Sequence, residues 1–447
     1  MPLKTAAAPR LPPAPSGSWS MPIKIDPKFE IMILSTTTAR AMTAAPEITT
    51  RTIFTMEDAL RELDAITRWW LDHSIDRENG GFYGEIDASG QPVAGARKHL
   101  VLHTRLLWFF SEVGRAGGDR ECRLAADRAY RYFNDHFDDP GFGGAYWSLE
   151  ADGSVADDGK RSYGLCFSIY ALCAYYRLTS DTSAITKARD YLAALWEHAR
   201  DDEYGGFIES FNRNWTPAAD MRLGDDDLDA PKTMNTHLHL VEACTALHQA
   251  APNARSRKAL RESIDLFIDH VLVADTPRLG LYFDRQWNEL PAVESFGHEI
   301  EASWLLWEAA EALDDPVVRT AVRPRALALA ERVLSQAMTA AGFVQDRPDG
   351  NGDPSESTWW VQAEALVGFL NADLLSGDDR WGEAADTVWA FTQRAHIAPG
   401  GVEWRSQGAP SDNAPDPHYR AGAWKGPYHT GRAMMEAARR LSILEAG

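Results

Sequence analysis

Residues 79–87 read NGGFYGEID: paired glycines, two aromatics, then polar residues alternating with an apolar one. Glycine reaches backbone conformations closed to other residues, and alternation has the two-residue period of a strand. The segment therefore suits a tight turn running into a short strand. The theme recurs as GFGGAYWSLEADGS at 141–154, YGGFIESFNRNW at 204–215, LGLYFDRQWNEL at 279–290, AGFVQDRPDGNG at 341–352 and GGVEWRSQG at 400–408. The marker glycines Gly81, Gly144, Gly206, Gly280, Gly342 and Gly401 follow at intervals of 63, 62, 74, 62 and 59 residues. A near-constant period of this length marks a repeat architecture, and each unit has room for two helices and a connection.

Helical patterns fill the intervals. In MEDALRELDAITRWWLDH (56–73), ECRLAADRAYRYFNDHF (121–137) and AITKARDYLAALWEHA (184–199), apolar residues return at every third or fourth position. Six helix pairs close most naturally into a ring. The expected fold is thus all-α, an (α/α)6 barrel over residues 53–447, with short β-hairpin-like loops at one end. An open solenoid is the competing arrangement.

Composition sets limits on function. The chain has 447 residues, 45% of them hydrophobic and 16 of them tryptophan, enough for a sizeable core. A net charge of −20 argues against nucleic acid and anionic membrane surfaces as partners, because both select a basic patch. No apolar run approaches the roughly 20 residues of a membrane span. Cys122, Cys166, Cys173 and Cys244 form no C-x-x-C pair and lie in apolar helical patterns, which indicates reduced, buried thiols and a cytoplasmic enzyme. Residues 1–52, rich in Pro, Ala, Ser and Thr, read as a disordered extension without the apolar core of a signal peptide, and Met42 stands as an alternative start.

The repeat also locates chemistry. After each glycine segment a helix begins, and near its first turn stands a residue unusual for a core: Arg105, Tyr163, His239, His298, Trp360 and His429. If these helices form the inner ring, all six side chains share one barrel end and one concave pocket.

KTMNTHLHLVEA (232–243) tests this. On a helix His237 and His239 lie about 200° apart. His237 falls among Leu240, Val241, Cys244 and Leu247, as a hydrogen-bonded packing residue would. His239 falls on the opposite face with Asn235, Glu242 and small alanines, as a pocket residue would. In HEIEASWLLWEAAEAL, Glu301 stands three residues after His298, on the same face, where a carboxylate would fix the imidazole tautomer and raise its basicity. His239 with Glu242, or His298 with Glu301, would each offer two metal ligands. No H-E-x-x-H occurs, however, and the chemistry below requires no metal and no cofactor. The acidic run GDDDLDAPK (224–232) precedes the His239 helix, so one of its carboxylates reaches the pocket rim. Tryptophans near the same end, Trp359, Trp360 and Trp424, offer flat faces for sugar rings.

At these motifs the sequence is similar to a known family. MNTHLHLVEA, SFGHEIEASWLLWEAAEAL, WWVQAEALVGFLNA and WKGPYH, in this order, resemble the N-acylglucosamine 2-epimerase superfamily, most closely its cellobiose 2-epimerase branch. The resemblance runs from about residue 56 to the C-terminus, and members of that superfamily are (α/α)6 barrels. It implies that His298 and His429 are the catalytic histidines, with Glu301 supporting the first. It further implies that His239 and Asn235 bind or assist, and that Arg105 lies near O1 and O2 of the sugar. Tyr163, Asp227, Trp360 and Trp424 would line the cleft. Where the family has cysteine before Pro-Tyr-His this sequence has Gly426, which bears on how that loop packs.

The implied activity is cofactor-independent epimerisation at C2 of a reducing-end glucose or mannose residue, as in cellobiose. Ring opening precedes removal of the C2 proton, and a proton returns on the opposite face. Two bases on opposite faces suit that route. The partner is a small sugar, and the protein is expected to be a monomer or weak homodimer. Three alternatives remain open from the sequence. One is a monosaccharide 2-epimerase or mannose–fructose isomerase, another an (α/α)6 glycoside hydrolase working through two carboxylates, and the last a non-catalytic sugar-binding barrel.

Overall fold

A computed structural model of the chain describes residues 54–273, 276–398, 400–408 and 419–446. The expected disordered extension at 1–52, like most of the loop before Trp424, lies outside the described residues. Among the described residues twelve α-helices run in sequence: α1 (Met56–His73), α2 (Leu100–Gly117), α3 (Arg120–Tyr132), α4 (Ser162–Thr179), α5 (Thr182–Ala194), α6 (Met234–Ala250), α7 (Ala254–Leu266), α8 (Phe296–Leu313), α9 (Pro316–Gln336), α10 (Trp359–Ser376), α11 (Arg380–Ala395) and α12 (Pro427–Ala446).

The even-numbered helices form the inner ring. α2 packs on α4, α4 on α6, α6 on α8, α8 on α10, α10 on α12, and α12 returns to α2. Each inner helix also packs against one outer helix, and α1 covers α12, so the first and last helices complete the circle. This is the (α/α)6 barrel, not the open solenoid. Burial agrees with the layering. Every residue from Leu100 to Gly114 in α2 is buried, whereas the outer α3 buries a single stripe.

Local chemistry explains the turns between paired helices. α2, α4, α8 and α10 end on left-handed residues, Gly118 (φ 63°), Ser180 (φ 61°), Asp314 (φ 51°) and Gly377 (φ 69°). A capping side chain then opens most outer helices. Asp119 accepts from the Glu121 and Cys122 amides, Asn253 from Arg255 and Ser256, and Asp315 from Val317. The helical patterns read at 121–137 and 184–199 finish as π-turns, Phe133–Phe137 and Leu195–Ala199, a detail that apolar periodicity does not encode.

The glycine segments lie at the opposite end of each pair and carry the short strands: β1 (Lys98–His99), β2 (Ser148–Leu149), β3 (Val155–Asp157), β4 (Lys160–Arg161), β5 (Ser210–Phe211), β6 (Lys232–Thr233) and β7 (Tyr282–Phe283). β1–β2–β3, β4–β5 and β6–β7 pair antiparallel. Gly81 has φ 60°, and a Cβ there would sit 2.7 Å from the Tyr132 ring, so both backbone and packing require glycine.

A buried ion pair recurs with the repeat. Lys98 meets Asp76 at 2.8 Å, Lys160 meets Asp139 at 2.8 Å, and Lys232 meets Asp201 at 3.0 Å. Each lysine stands on the strand just before an inner helix, and each aspartate also accepts amides of its own turn, such as Glu78, Gly141 and Glu203. The pair therefore fastens the start of an inner helix to the glycine turn before it. Removing one partner of such a pair costs about 3–5 kcal/mol. Among the described residues, no helix is long and apolar enough to cross a membrane.

Candidate active site

The inner helices all begin at the glycine-segment end, and their first turns converge there. α2 contributes Arg105, whose guanidinium lies over the Phe167 and Tyr428 rings at 4.6 and 4.7 Å. It donates to the Trp424 carbonyl (2.6 Å) and to the Tyr163 hydroxyl (3.1 Å). α4 contributes Tyr163, edge-on to His239 with ring centroids 5.1 Å apart, and Trp424 closes over Tyr163 at 5.8 Å. Arg105, Tyr163, His239 and Trp424 thus form one continuous wall.

α6 splits its two histidines as helical phase requires. His237 is a packing residue: its Nδ1 meets the Thr233 carbonyl at 2.7 Å and its Nε2 accepts from the Phe207 amide at 3.1 Å. His239 turns inward, with Nδ1 3.0 Å from Glu242 Oε2. Asn235, one turn earlier, lines a cleft with His298, Asp227 and Tyr282. Asp227 does reach the rim, held by the Tyr282 hydroxyl (2.9 Å) and the Gly224 amide (2.9 Å). The Asn235 Oδ1 and the Arg105 Nε have no hydrogen-bond partner among the described residues, which leaves polar capacity for a hydroxyl-bearing ligand.

The second wall centres on Trp360 of α10. Its ring touches His298 of α8 (centroids 4.8 Å) and His429 of α12 (5.7 Å), bridging two imidazoles that are far apart in sequence. A Cβ on Gly297 would lie 2.5 Å from Trp360, so the absence of a side chain there lets the indole pack against α8. Gly426 has a similar use. A Cβ there would sit 3.1 Å from Leu102 Cδ1, so glycine allows the turn before His429 to lie close on α2.

Beneath both walls the barrel axis is polar. Arg432 of α12 is fully enclosed and donates to Glu242 of α6 (2.6 Å), Glu301 of α8 and Glu364 of α10 (2.7 Å). Tyr428 donates to both Glu242 oxygens. Glu364 also accepts from Trp304 Nε1 (3.0 Å) and meets His429 Nδ1 at 2.6 Å. Burial works to raise the Glu242 carboxyl, yet Arg432, His239 and Tyr428 overcome it and hold the group at about 2. Glu364, by contrast, is raised by burial despite Arg432. Burial lowers both His298 and His429, the latter strongly, although the nearby Glu301 charge favours their protonated forms.

Glu301 corrects one expectation. The carboxylate that helical phase places beside His298 is hydrogen-bonded to Arg432, while His298 Nδ1 meets Ser295 Oγ at 2.7 Å. The pull of a buried guanidinium on a carboxylate explains the difference. Glu301 therefore acts on His298 through charge. The direct histidine–glutamate contact in this wall belongs to Glu364 and His429. Sequence reasoning passed over Glu364, Arg432 and Tyr428. Glu364 lies one helical turn after Trp360 and Arg432 three residues after His429, so their phase was the available signal.

Ligand atoms of Glu301, Glu364 and His429 lie within 4.8 Å of one another, a spacing that suits a metal ion. Arg432 already bonds both carboxylates, however, and its fixed positive charge opposes a second cation there.

The inner helices of this (α/α)6 barrel thus gather histidines, an arginine and aromatic rings around a polar axis, groups able to hold a sugar and move its protons. The sequence matches the family described as N-acylglucosamine 2-epimerase (GlcNAc 2-epimerase) over residues 81–433. It is 36% identical over 375 residues to the cellobiose 2-epimerase of Bacteroides fragilis, covering 83% of this chain and 95% of that one. Against the cellobiose 2-epimerase of Ruminococcus albus it is 35% identical over 378 residues, covering 84% and 96%. The solved cellobiose 2-epimerase of Spirochaeta thermophila superposes with a TM-score of 0.78 at 35% identity, covering 87% of this chain and 97% of that structure. The chain belongs to the N-acylglucosamine 2-epimerase family and is an isomerase of the sugar 2-epimerase kind.

Proposed function

We propose that this protein interconverts a reducing-end glucose and mannose residue, with cellobiose or a related β-1,4-disaccharide as substrate. Proton transfer at C2 is assigned to His298 and His429. One observation supports this most directly. Two imidazoles from different helices, His298 half-buried and His429 buried, pack against the one Trp360 ring, each with Nδ1 engaged by a neighbour. With Nδ1 engaged, Nε2 is the nitrogen left to exchange a proton with a substrate.

In the proposed cycle the sugar ring opens and one histidine takes the C2 proton. Charge then spreads over O1 and O2 of an enediolate, where the Arg105 guanidinium offsets it. The other histidine, entering as imidazolium, gives a proton to the opposite face of C2. The pair begins with one transferable proton on the donor and ends with one on the base, so the protons balance within the pair, and exchange with solvent restores the starting state. Glu364 orients His429 and stabilises its cation, and Glu301 lends negative charge to both histidines. Asn235, His239, Tyr163, Asp227 and Trp424 hold the hydroxyls and ring faces. No cofactor enters the proposed cycle.

The site disfavours the hydrolase reading. A hydrolytic general acid is a carboxyl with a free proton to give, but Glu301 and Glu364 are both committed to Arg432. The decisive experiment is incubation in D2O with cellobiose, glucose, mannose and fructose, followed by NMR. Epimerised disaccharide carrying deuterium at C2 is expected. Ketose formation as the main product would establish the isomerase alternative, and release of free glucose from cellobiose would overturn the proposal.

Acidity gives a second check. Burial lowers both histidines, so the one acting as base keeps its basic form at pH values where an ordinary imidazole, near about 6.5, has begun to protonate. The acid limb of kcat/KM is therefore expected below that value. An acid limb above it in a pH–rate profile would contradict the buried-base assignment. Such a limb belongs to the interacting pair as a whole.

A further inference from the structure

His429 has a buried glutamate against its Nδ1, but the support of His298 is of another kind. Ser295, the N-cap of α8, places Oγ 2.7 Å from His298 Nδ1. The same Oγ donates to Asp346 Oδ1 at 2.7 Å. Asp346 belongs to the fifth glycine segment, between α9 and α10, and is anchored twice more. Its Oδ1 accepts the Gly297 amide (3.0 Å), and its backbone carbonyl accepts the Phe296 amide (2.8 Å).

The hydroxyl has one proton, and Asp346 receives it. Oγ must then accept from His298, which puts the imidazole proton on Nδ1 and leaves the Nε2 lone pair free. A neutral imidazole in the other tautomer could not remove a proton through Nε2.

We propose that Asp346, acting through Ser295, is a positioning residue for catalysis. It selects the tautomer of His298 and steadies the cation that forms on it. This rests on the two-histidine reading above. Other charged or titratable groups also face His298: Glu301 from its own helix, His239 from α6 and Glu364 from α10. Of these and Asp346, Asp346 alone is linked to the ring by a hydrogen-bonded chain among the described residues. His429 carries the analogous load by direct contact with Glu364, so the two bases have different supports. The Asp346 side chain is half-buried at the edge of the barrel, whereas Glu364 is enclosed at its axis.

The test uses three variants of the full chain. Asp346→Asn keeps an oxygen to accept from Ser295 and Gly297 but removes the charge. Its kcat is expected to fall about tenfold to a hundredfold, with KM within about twofold of the parent. Its acid limb should move to lower pH, because the imidazolium has lost a stabilising charge. Ser295→Ala should lose at least as much kcat, and Ser295→Thr, which restores the hydroxyl, should recover most of it. Asp346→Asn with kcat within twofold and an unmoved acid limb would overturn the proposal. So would a loss that follows thermal stability alone, with no shift of the acid limb and no rescue by threonine. His298→Ala in the same assay separates the two levels. Near-native turnover in that variant defeats the two-histidine reading, whereas an inactive His298→Ala beside an unaffected Asp346→Asn defeats only the positioning role.

Discussion

His429→Ala is expected to lower kcat for epimerisation by roughly 10³–10⁴-fold, the upper range for a single acid–base group. The fold should survive, because Glu364 keeps its bonds to Arg432 and Trp304 when the imidazole is gone. Circular dichroism and the melting temperature should accordingly change little. A finer result distinguishes a two-base site from a one-base site. With His298 intact, the epimer whose C2 proton faces that ring should still exchange it for solvent deuterium, without inversion. The other epimer should not exchange. Epimerisation within tenfold of the parent, or exchange lost equally for both epimers, would remove His429 from the role assigned to it.

Arg432→Met should act on stability first. Glu242, Glu301 and Glu364, from three different helices, bond the same guanidinium in the barrel axis. Methionine fills much of the stem volume but leaves three enclosed carboxylates without a cation. Breaking a buried ionic cluster in this way costs about 3–5 kcal/mol. A drop in melting temperature of roughly 10 °C is expected. The deficit should shrink on mild acidification. Uncompensated buried carboxyls bind protons more tightly in the folded than in the unfolded state, so folding gains as the pH falls through their raised values. A variant as stable as the parent, or one less stable in acid than in alkali, would show that the arginine is not the counter-charge holding the axis together.

Much of this molecule was legible in its sequence, for identifiable reasons. The six-fold repeat was readable because Gly81 and its counterparts recur where backbone geometry and tight packing leave few alternatives. The division of labour between His237 and His239 followed from helical phase, since 100° per residue turns neighbours two apart to opposite faces. The convergence of Arg105, Tyr163, His298, Trp360 and His429 followed once each was placed at the same point of its repeat. What escaped was pairing across the ring. Nothing local marks Glu364 as the partner of His429, since the partners lie 65 residues apart on different helices. Glu301 misled in the opposite way. Its local spacing from His298 was correct, but a stronger partner, Arg432, was 131 residues away. The buried lysines escaped for a third reason: in sequence Lys98, Lys160 and Lys232 look like ordinary solvent-facing charges, and only the turn aspartates bring them inside.

The meeting of α1 with α12 has a consequence for how the ring closes. Among the described helices, α12 alone supplies His429, Tyr428 and Arg432 together. Without it, the glutamates of α6, α8 and α10 lose the guanidinium that bonds all three, and their mutual repulsion works against closing the ring. The same helix that provides the base and the cation also fills the final gap in the wall. Completion of the barrel and assembly of the proposed reactive centre therefore depend on the same helix, and a form in which α12 is undocked lacks both.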